Sequence, residues 1–599
     1  MKRAVPLVVG LGLVAFVALF VVGPYGEPAC AAQAADQRVD LRVLLVSVDG
    51  DDEGSIAWRD LFVDEGVPYE ELHLGAGAVL DDDVLYAPDG HARFQGIVLA
   101  DSRLADDGRP DLPSRLDDDA RSAIDDFQRD TGARLLAATI VPDAALPVTV
   151  PPAPSDLDGL VGRVTAAGRE VFPYLQGDVP IEDSFGFVPE VTTSSGLVPL
   201  VALPDRRPLV VVAHGAGATE TLYVAPQVSE AVLHWRLLRH GLLGWVTGGV
   251  HVGLRYLHYA MQVDDIFLPN FRWDPERDHT SAELGTSHMT PEDMTVGADW
   301  IREHGLRLDM TYNAAGRTSA TCEAVLGEKE AFGWVNHTYS HLDLDELPRE
   351  QIVQEIDRNR RWAENHDLPG FRGDELVTGA HTGLENPDMP AALRETGIRW
   401  VASDASLEPE QRRLGDALTV PRYPTDIYYD TSTRAEQLDE YDHAYLVACD
   451  PTLTTCRTEP ATWGEFVEIQ AELMFRHIID GDPRVHYAHQ SNMTDDRILY
   501  DALEAMLDRY HSLIDAPIVQ PTLSESGTEL LRQARWADAL ASGAVEAWRE
   551  HDELHITATV DVDVPMTGVA DGDDYAGERI GWFPIDAGEE LVLTQVTGR

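Results

Sequence analysis

Apolar runs and amphipathic stretches alternate along the 599-residue chain. Leu41–Val48 is almost wholly apolar, the pattern of a strand buried on both faces. Ile56–Glu65 then has a helical period, Phe94–Ala100 reads as a second buried strand, Asp118–Thr131 as a helix and Ala133–Ile140 as a third strand. Strands alternating with helices predict an α/β layer. The stretch from 146 to 208 is richer in Pro, Gly and Val and reads as short strands and turns. Pro208–Ala213 returns to a buried strand, and Ala225–Leu243 reads as a helix ending at Gly244. From Leu254 to Ile514 the strand–helix alternation resumes. Beyond Pro517, Glu525–His551 reads as helical, and His555–Val564 alternates with period two, as a half-exposed strand does. The pattern divides the chain into an accessory α/β and β-rich region (37–250), a second α/β domain (251–515) and a small β-rich region (516–599). No fixed-period repeat is visible.

The first residues have a different character. Met1-Lys2-Arg3 is followed by an uncharged apolar run, Ala4–Gly23. Ala29-Cys30-Ala31 and Ala32-Gln33-Ala34 both have the small-x-small form of a cleavage site. Residues 1–34 are therefore expected to be a signal peptide. The run also nearly reaches the length that spans a bilayer, so an uncleaved signal anchor is the alternative. In either case the rest of the chain is expected outside the cell, secreted or tethered to the outer face of the membrane.

Composition narrows the classes. Apolar content of 44% is enough for packed cores. Asp and Glu number 103 against 46 Lys and Arg, a net charge of −57. A field of that sign excludes general nucleic-acid binding and docking on anionic lipid. Any membrane association would run through the N-terminal anchor. Four cysteines are too few for a disulfide scaffold. Cys449 and Cys456 are close in sequence and are expected to pair in an oxidising compartment, leaving Cys322 free.

Three segments can carry chemistry. Met261-Gln-Val-Asp264-Asp265-Ile-Phe-Leu268 puts two adjacent carboxylates at the end of an apolar strand. Neighbours on a strand point to opposite faces, but at a strand end the backbone turns and both can reach one site. Like charges so close need a shared proton or cation; a helix cap beside a solvated neighbour is the plainer reading. Asn336-His337-Thr-Tyr-Ser-His341-Leu-Asp343 places two imidazoles four residues apart, a spacing that lets both face one metal. Arg484-Val-His486-Tyr-Ala-His489-Gln-Ser-Asn492 reads as a strand on which either histidine could face a site or be a hydrogen-bonded core residue. Together, one carboxylate and two imidazoles make an open metal site, a second carboxylate can accept a proton from water, and a distant histidine can supply one.

This order of motifs is similar to that of the NodB-like polysaccharide deacetylases. The wording of the three segments resembles more closely the Agd3-type deacetylases, secreted enzymes acting on N-acetylgalactosamine-containing exopolysaccharide. The resemblance covers about Leu254–Ile514. It implies a distorted (β/α) barrel for 251–515, with Asp265, His337 and His341 as metal ligands, Asp264 as general base and His489 as general acid. Asp404, in Trp400-Val-Ala-Ser-Asp404, falls where the family places the carboxylate that orients the acid histidine. Between His341 and Asp404 the family's base-orienting Arg-x-Pro-aromatic element is absent, and His381 or Arg372 is the expected substitute. The cofactor implied is a divalent metal, zinc by preference, and the partner an amino-sugar polysaccharide. The N-terminal layers resemble flavodoxin-like folds without a Gly-x-Gly-x-x-Gly loop, so no nucleotide is expected there. Two rival readings remain at this point: a non-catalytic glycan-binding surface protein, and a metal-dependent amidase acting on peptidoglycan or a small molecule.

Overall fold

A computed structural model describes residues 38–105, 112–190 and 196–596; the expected signal or anchor lies outside them. Among the described residues no helix is long and apolar enough to cross a membrane.

The centre of the molecule is a closed parallel barrel of seven strands. They are β1 (Met261–Ile266), β2 (Leu308–Tyr312), β3 (Gly333–Asn336), β4 (Glu375–Leu376), β5 (Trp400–Asp404), β6 (Ala417–Pro424) and β7 (His486–His489). Each strand pairs with the next, and β7 pairs with β1 to close the ring. Parallel strands need long crossovers, and most here are helical, among them Pro291–His304, Ser319–Glu328, Arg349–Asn365 and Met389–Thr396. β1 and β2 are buried along their whole length, yet polar residues alternate with apolar ones along them because the polar side chains face the barrel interior. Gln262, Asp264 and Thr311 on these strands and Arg422 on β6 are all buried. The expected α/β class and NodB-like barrel are what the structure has.

The N-terminal region holds a nine-stranded mixed sheet. Tyr69–His73, Val43–Ser47, Gly96–Leu99, Arg134–Ala137 and Glu220–Val224 run parallel, and the strands beyond Glu220–Val224 run antiparallel. The helix Asp118–Thr131 has the predicted bounds because Asp117 caps it through Ala120 N and Gly132, at φ 75°, ends it. The predicted helix from Ala225 instead spans Leu233–Val246. Pro226 holds the preceding residue out of the helical region, and Ala225 N bonds the sheet at Leu209.

The C-terminal region differs more from expectation. The helix Leu523–Ala541 stops at Ser542-Gly543, where Gly543 takes φ 65°, and a strand follows at Val545–Glu550. The run His555–Val564 divides into two strands, Glu553–Ala558 and Val562–Thr567, which enter different four-stranded sheets. Each sheet also recruits a strand from far away in the chain, Val39–Asp40 in one and His251–Val252 in the other. The β-rich region is thus completed by segments on either side of the N-terminal sheet.

A buried ion-pair triad ties the N-terminal region to the C-terminal one. His240 sits between Glu65 and Glu578, 2.9 Å from a carboxylate oxygen of each. Burial and Arg255 push its imidazole down, but the two carboxylates outweigh them and hold it above the ordinary histidine range. At nearby His251 burial outweighs the pull of the same two carboxylates and, with His240, pushes the imidazole down to about 4. The unfolded chain therefore binds more protons at this residue between about pH 6.5 and 4. Its contribution to stability is lost as pH falls through that window, by about 3 kcal/mol if the shift is fully expressed. Unfolding midpoints measured from pH 7 to pH 4 should fall less steeply for His251→Gln than for the parent chain, and identical slopes would contradict this account.

Candidate active site

The two adjacent carboxylates reach one cavity through a local break in strand geometry. Register along β1–β2 shifts between Val263 and Ile266, and Asp265 takes a left-handed φ of 66°. The usual alternation of faces is lost there, so Asp264 and Asp265 both point into the barrel. Left-handed backbone recurs around the site at Phe267, Thr338, His341, Ala380 and His381. Such conformations cost about 1–3 kcal/mol each for non-glycine residues and persist only where surrounding structure enforces them.

Asp265, His337 and His341 converge at the C-terminal end of the barrel. Asp265 Oδ1 lies 3.4 Å from His337 Nε2 and 3.3 Å from His341 Nε2. The three potential ligand atoms all lie within 4.8 Å of one another. Asp265 Oδ2 accepts a hydrogen bond from Asn270 Nδ2 at 2.7 Å, while Oδ1 is buried without a donor. His337 Nδ1 faces the carbonyl of Val377 at 3.1 Å, which fixes the proton on Nδ1 and leaves the Nε2 lone pair for the site. The backbone of Gly379 packs on the His341 ring; a Cβ there would sit 2.8 Å from it, so only glycine fits. Burial pushes the Asp265 carboxyl up, but His337, with His489 and His341, outweighs it and holds the group well below the usual range. An orphaned carboxylate oxygen facing two imidazole Nε2 atoms fits a divalent metal, and the nitrogen-rich set fits zinc.

Asp264 is held apart from the triad by other partners. Arg422, on β6 and fully buried, grips it in a two-pronged pair, Nη1 to Oδ1 and Nη2 to Oδ2, both 2.9 Å. Thr311 Oγ1 donates to Oδ1 at 2.6 Å. Burial pushes this carboxyl up, but the Arg422 charge, with His337, outweighs it and keeps the group ionised well below the usual range. Arg422 also donates from Nη1 to Gln262 Oε1 and from Nη2 to His381 Nε2, and stacks over the Tyr487 ring at 4.3 Å.

Arg422 corrects the expectation about the base-orienting residue. His381 is at the site but reaches Asp264 only through Arg422; burial and that guanidinium push its imidazole down to about 3, so it is a neutral acceptor. Arg372 is on the surface, paired with Glu525. The signal was in the sequence: Arg422-Tyr423-Pro424 is itself an Arg-x-Pro element, placed one strand after Asp404 rather than before it.

β7 decides between its two histidines. His486 points into the core, its Nε2 2.9 Å from His477 Nδ1 and its ring beside those of Tyr259 and Tyr423. His489 faces the site in register with Asp264, and its backbone N–H is fixed by Asn492 Oδ1. Burial lowers its imidazole, against the pull of Asp265 and Asp264. Asp404 does not orient it. Its carboxylate accepts from Tyr487 Oη at 3.0 Å and from Ser406, because Tyr487, two residues before His489 on the same strand, occupies that position. The exposed ring of Tyr429 lies edge-on to His489 at 5.9 Å. Cys449 and Cys456 form a disulfide, and Cys322 is free.

Comparisons with known proteins agree with the motif reading. Residues 324–515 match the family model of the Agd3 deacetylase domain, a span that includes both ligand histidines, Arg422 and His489 but begins after the Asp264-Asp265 pair. The crystal structure of Agd3, described as a novel carbohydrate deacetylase, superposes with a TM-score of 0.76 at 16% identity, over 94% of this chain and 99% of that one. That likeness shows a shared fold over nearly the whole length. A putative polysaccharide deacetylase from Mycobacterium smegmatis aligns at 14% identity over 43% of this chain and 85% of its own, with a TM-score of 0.29. The family 4 carbohydrate esterase of Streptomyces lividans aligns at 12% identity over 45% of this chain and all of its own, with a TM-score of 0.24. No curated protein is significantly similar in sequence.

The geometry keeps Asp264, on Arg422, apart from the three groups that could hold a metal. Zinc content measured after dialysis should be one per chain in the parent, lost in His337→Ala and retained in both Asp264→Asn and Arg422→Gln. Arg422→Gln leaves Asp264 buried and unpaired, and should lower stability by about 3–5 kcal/mol. Loss of zinc from Asp264→Asn would place that residue among the ligands and contradict the assignment.

Proposed function

We propose that this chain is a metal-dependent N-deacetylase of an amino-sugar exopolysaccharide, working outside the cell. The observation that carries the reading is the buried triad Asp265, His337 and His341 beside a second carboxylate, Asp264, that an arginine keeps charged and outside the triad. The Agd3 deacetylase-domain match supports a polysaccharide deacetylase, a hydrolase of the carbohydrate esterase class. The preference for N-acetylgalactosamine polymer rests on the resemblance of the motifs. An extracytoplasmic setting is supported by the N-terminal export pattern and by the Cys449–Cys456 disulfide.

A divalent metal bound by the triad would polarise the acetyl carbonyl and make its attacking water more acidic. Asp264, ionised through Arg422, takes the proton from that water. Arg422 fixes the carboxylate in direction as well as charge, because both guanidinium prongs are engaged. His489, on the neighbouring strand, is placed to give a proton to the amide nitrogen as the C–N bond breaks. Acetate and a free amine leave. A glycan-binding protein needs neither the paired carboxylates nor the arginine clamp, so the site favours catalysis over that alternative.

Acetate release from N-acetylgalactosamine and N-acetylglucosamine polymers tests the reading. Release should be abolished by a chelator and restored by zinc. Asp264→Asn should lower it by at least a thousandfold and Arg422→Gln by about a hundredfold, in the range that loss of general-base catalysis produces. Absence of release from either polymer, with zinc bound, would point to a different amide substrate.

A further inference from the structure

A second cavity lies away from the metal centre, where the N-terminal sheet, the barrel and the C-terminal β region meet. It has a volume of about 940 Å³, in the size range of specific ligand sites, which favour domain junctions. Two partly exposed rings line it: Trp582, and Tyr69, which packs on the buried Phe62 with ring centres 5.0 Å apart. Such faces suit the apolar side of a sugar ring.

The cavity also carries more carboxylate than its arginines neutralise. Asp64 lies 3.0 Å from Arg239, which also binds Glu230 and Asp480 at 3.1 and 2.9 Å; Arg236 joins the same two acids. Three carboxylates thus share two guanidiniums. The remaining cations of the cavity are already paired, Arg42 with Glu70 and Arg484 with Asp482. The surplus falls on Asp64, whose side chain is 39% exposed. Burial, with Asp480 and Glu230 close by, pushes its carboxyl up to about 7 despite Arg239. One further positive charge at this point would complete the network.

We propose that this cavity binds a de-N-acetylated hexosamine segment, the partly exposed rings taking the sugar face and Asp64 taking the free ammonium. The inference rests on the deacetylase reading, since that reaction produces such segments, and it makes the protein retain the polymer by its product. A net charge of −57 adds a long-range field of the right sign for a polyamine chain.

Calorimetric titration of the full chain carrying His337→Ala, with a glucosamine hexasaccharide and its fully N-acetylated counterpart as probes, tests this. The free-amine probe should bind at least tenfold tighter than the acetylated one, and added salt should weaken it. Asp64→Asn and, separately, Tyr69→Leu should each weaken it at least tenfold while acetate release from a short substrate by the otherwise unaltered chain stays unchanged. Equal affinity for both probes, or binding insensitive to both substitutions, would overturn the proposal. Acetate release without cavity binding would overturn this inference alone. Cavity binding without acetate release would overturn the deacetylase reading and leave the ligand class of the cavity standing.

Discussion

Two neighbouring carboxylates buried in one barrel cannot both stay charged without compensation, and the surroundings of the site follow from that constraint. Their Coulomb repulsion is strong in a low-dielectric interior. The chain answers it with two different partners. Arg422 reaches across from β6 to hold Asp264, while His337 and His341 converge on Asp265 and leave one of its oxygens without a donor. The division matches the proposed roles, in which one carboxylate would hold a metal and the other move a proton. The left-handed backbone at Asp265 is the local strain that puts both on the same side, and the closed ring of parallel strands is what enforces it.

Much of this was legible in the sequence, and the reasons are specific. β1 stood out because two adjacent acids close a short strand whose remaining residues are mostly apolar. The pair His337 and His341 is close in sequence, and a short loop after β3 brings both to the same point. Arg422, by contrast, lies 158 residues from Asp264. Its role depends on β6 entering the barrel two strands away from β1, which no local pattern encodes. The Arg-x-Pro wording was present, but outside the interval in which the family pattern places it. Asp404 was misjudged for a related reason: its register on β5 is opposite Arg422, and Tyr487 stands between it and His489. The helix misjudged at Ala225 and the C-terminal strand that divides were local failures, set by Pro226 and by a turn between two sheets.

The outer regions are more than appendages to the barrel. The C-terminal sheets incorporate Val39–Asp40 and His251–Val252, so the chain's two halves are stitched together before the barrel begins and after the N-terminal sheet ends. The Glu65–His240–Glu578 triad crosses the same junction with buried charge. Such an arrangement holds the junction cavity in a fixed relation to the metal centre.

The central claim is that Asp265, His337 and His341 hold a catalytic divalent ion while Asp264 stays outside its coordination sphere. An anomalous difference map at the zinc absorption edge, from crystals of the zinc-loaded protein, tests it most directly. The account predicts one strong peak about 2.0–2.2 Å from an Asp265 oxygen and from Nε2 of both histidines, with Asp264 still on Arg422. A peak elsewhere, or one with Asp264 drawn off Arg422 into the coordination sphere, would contradict it.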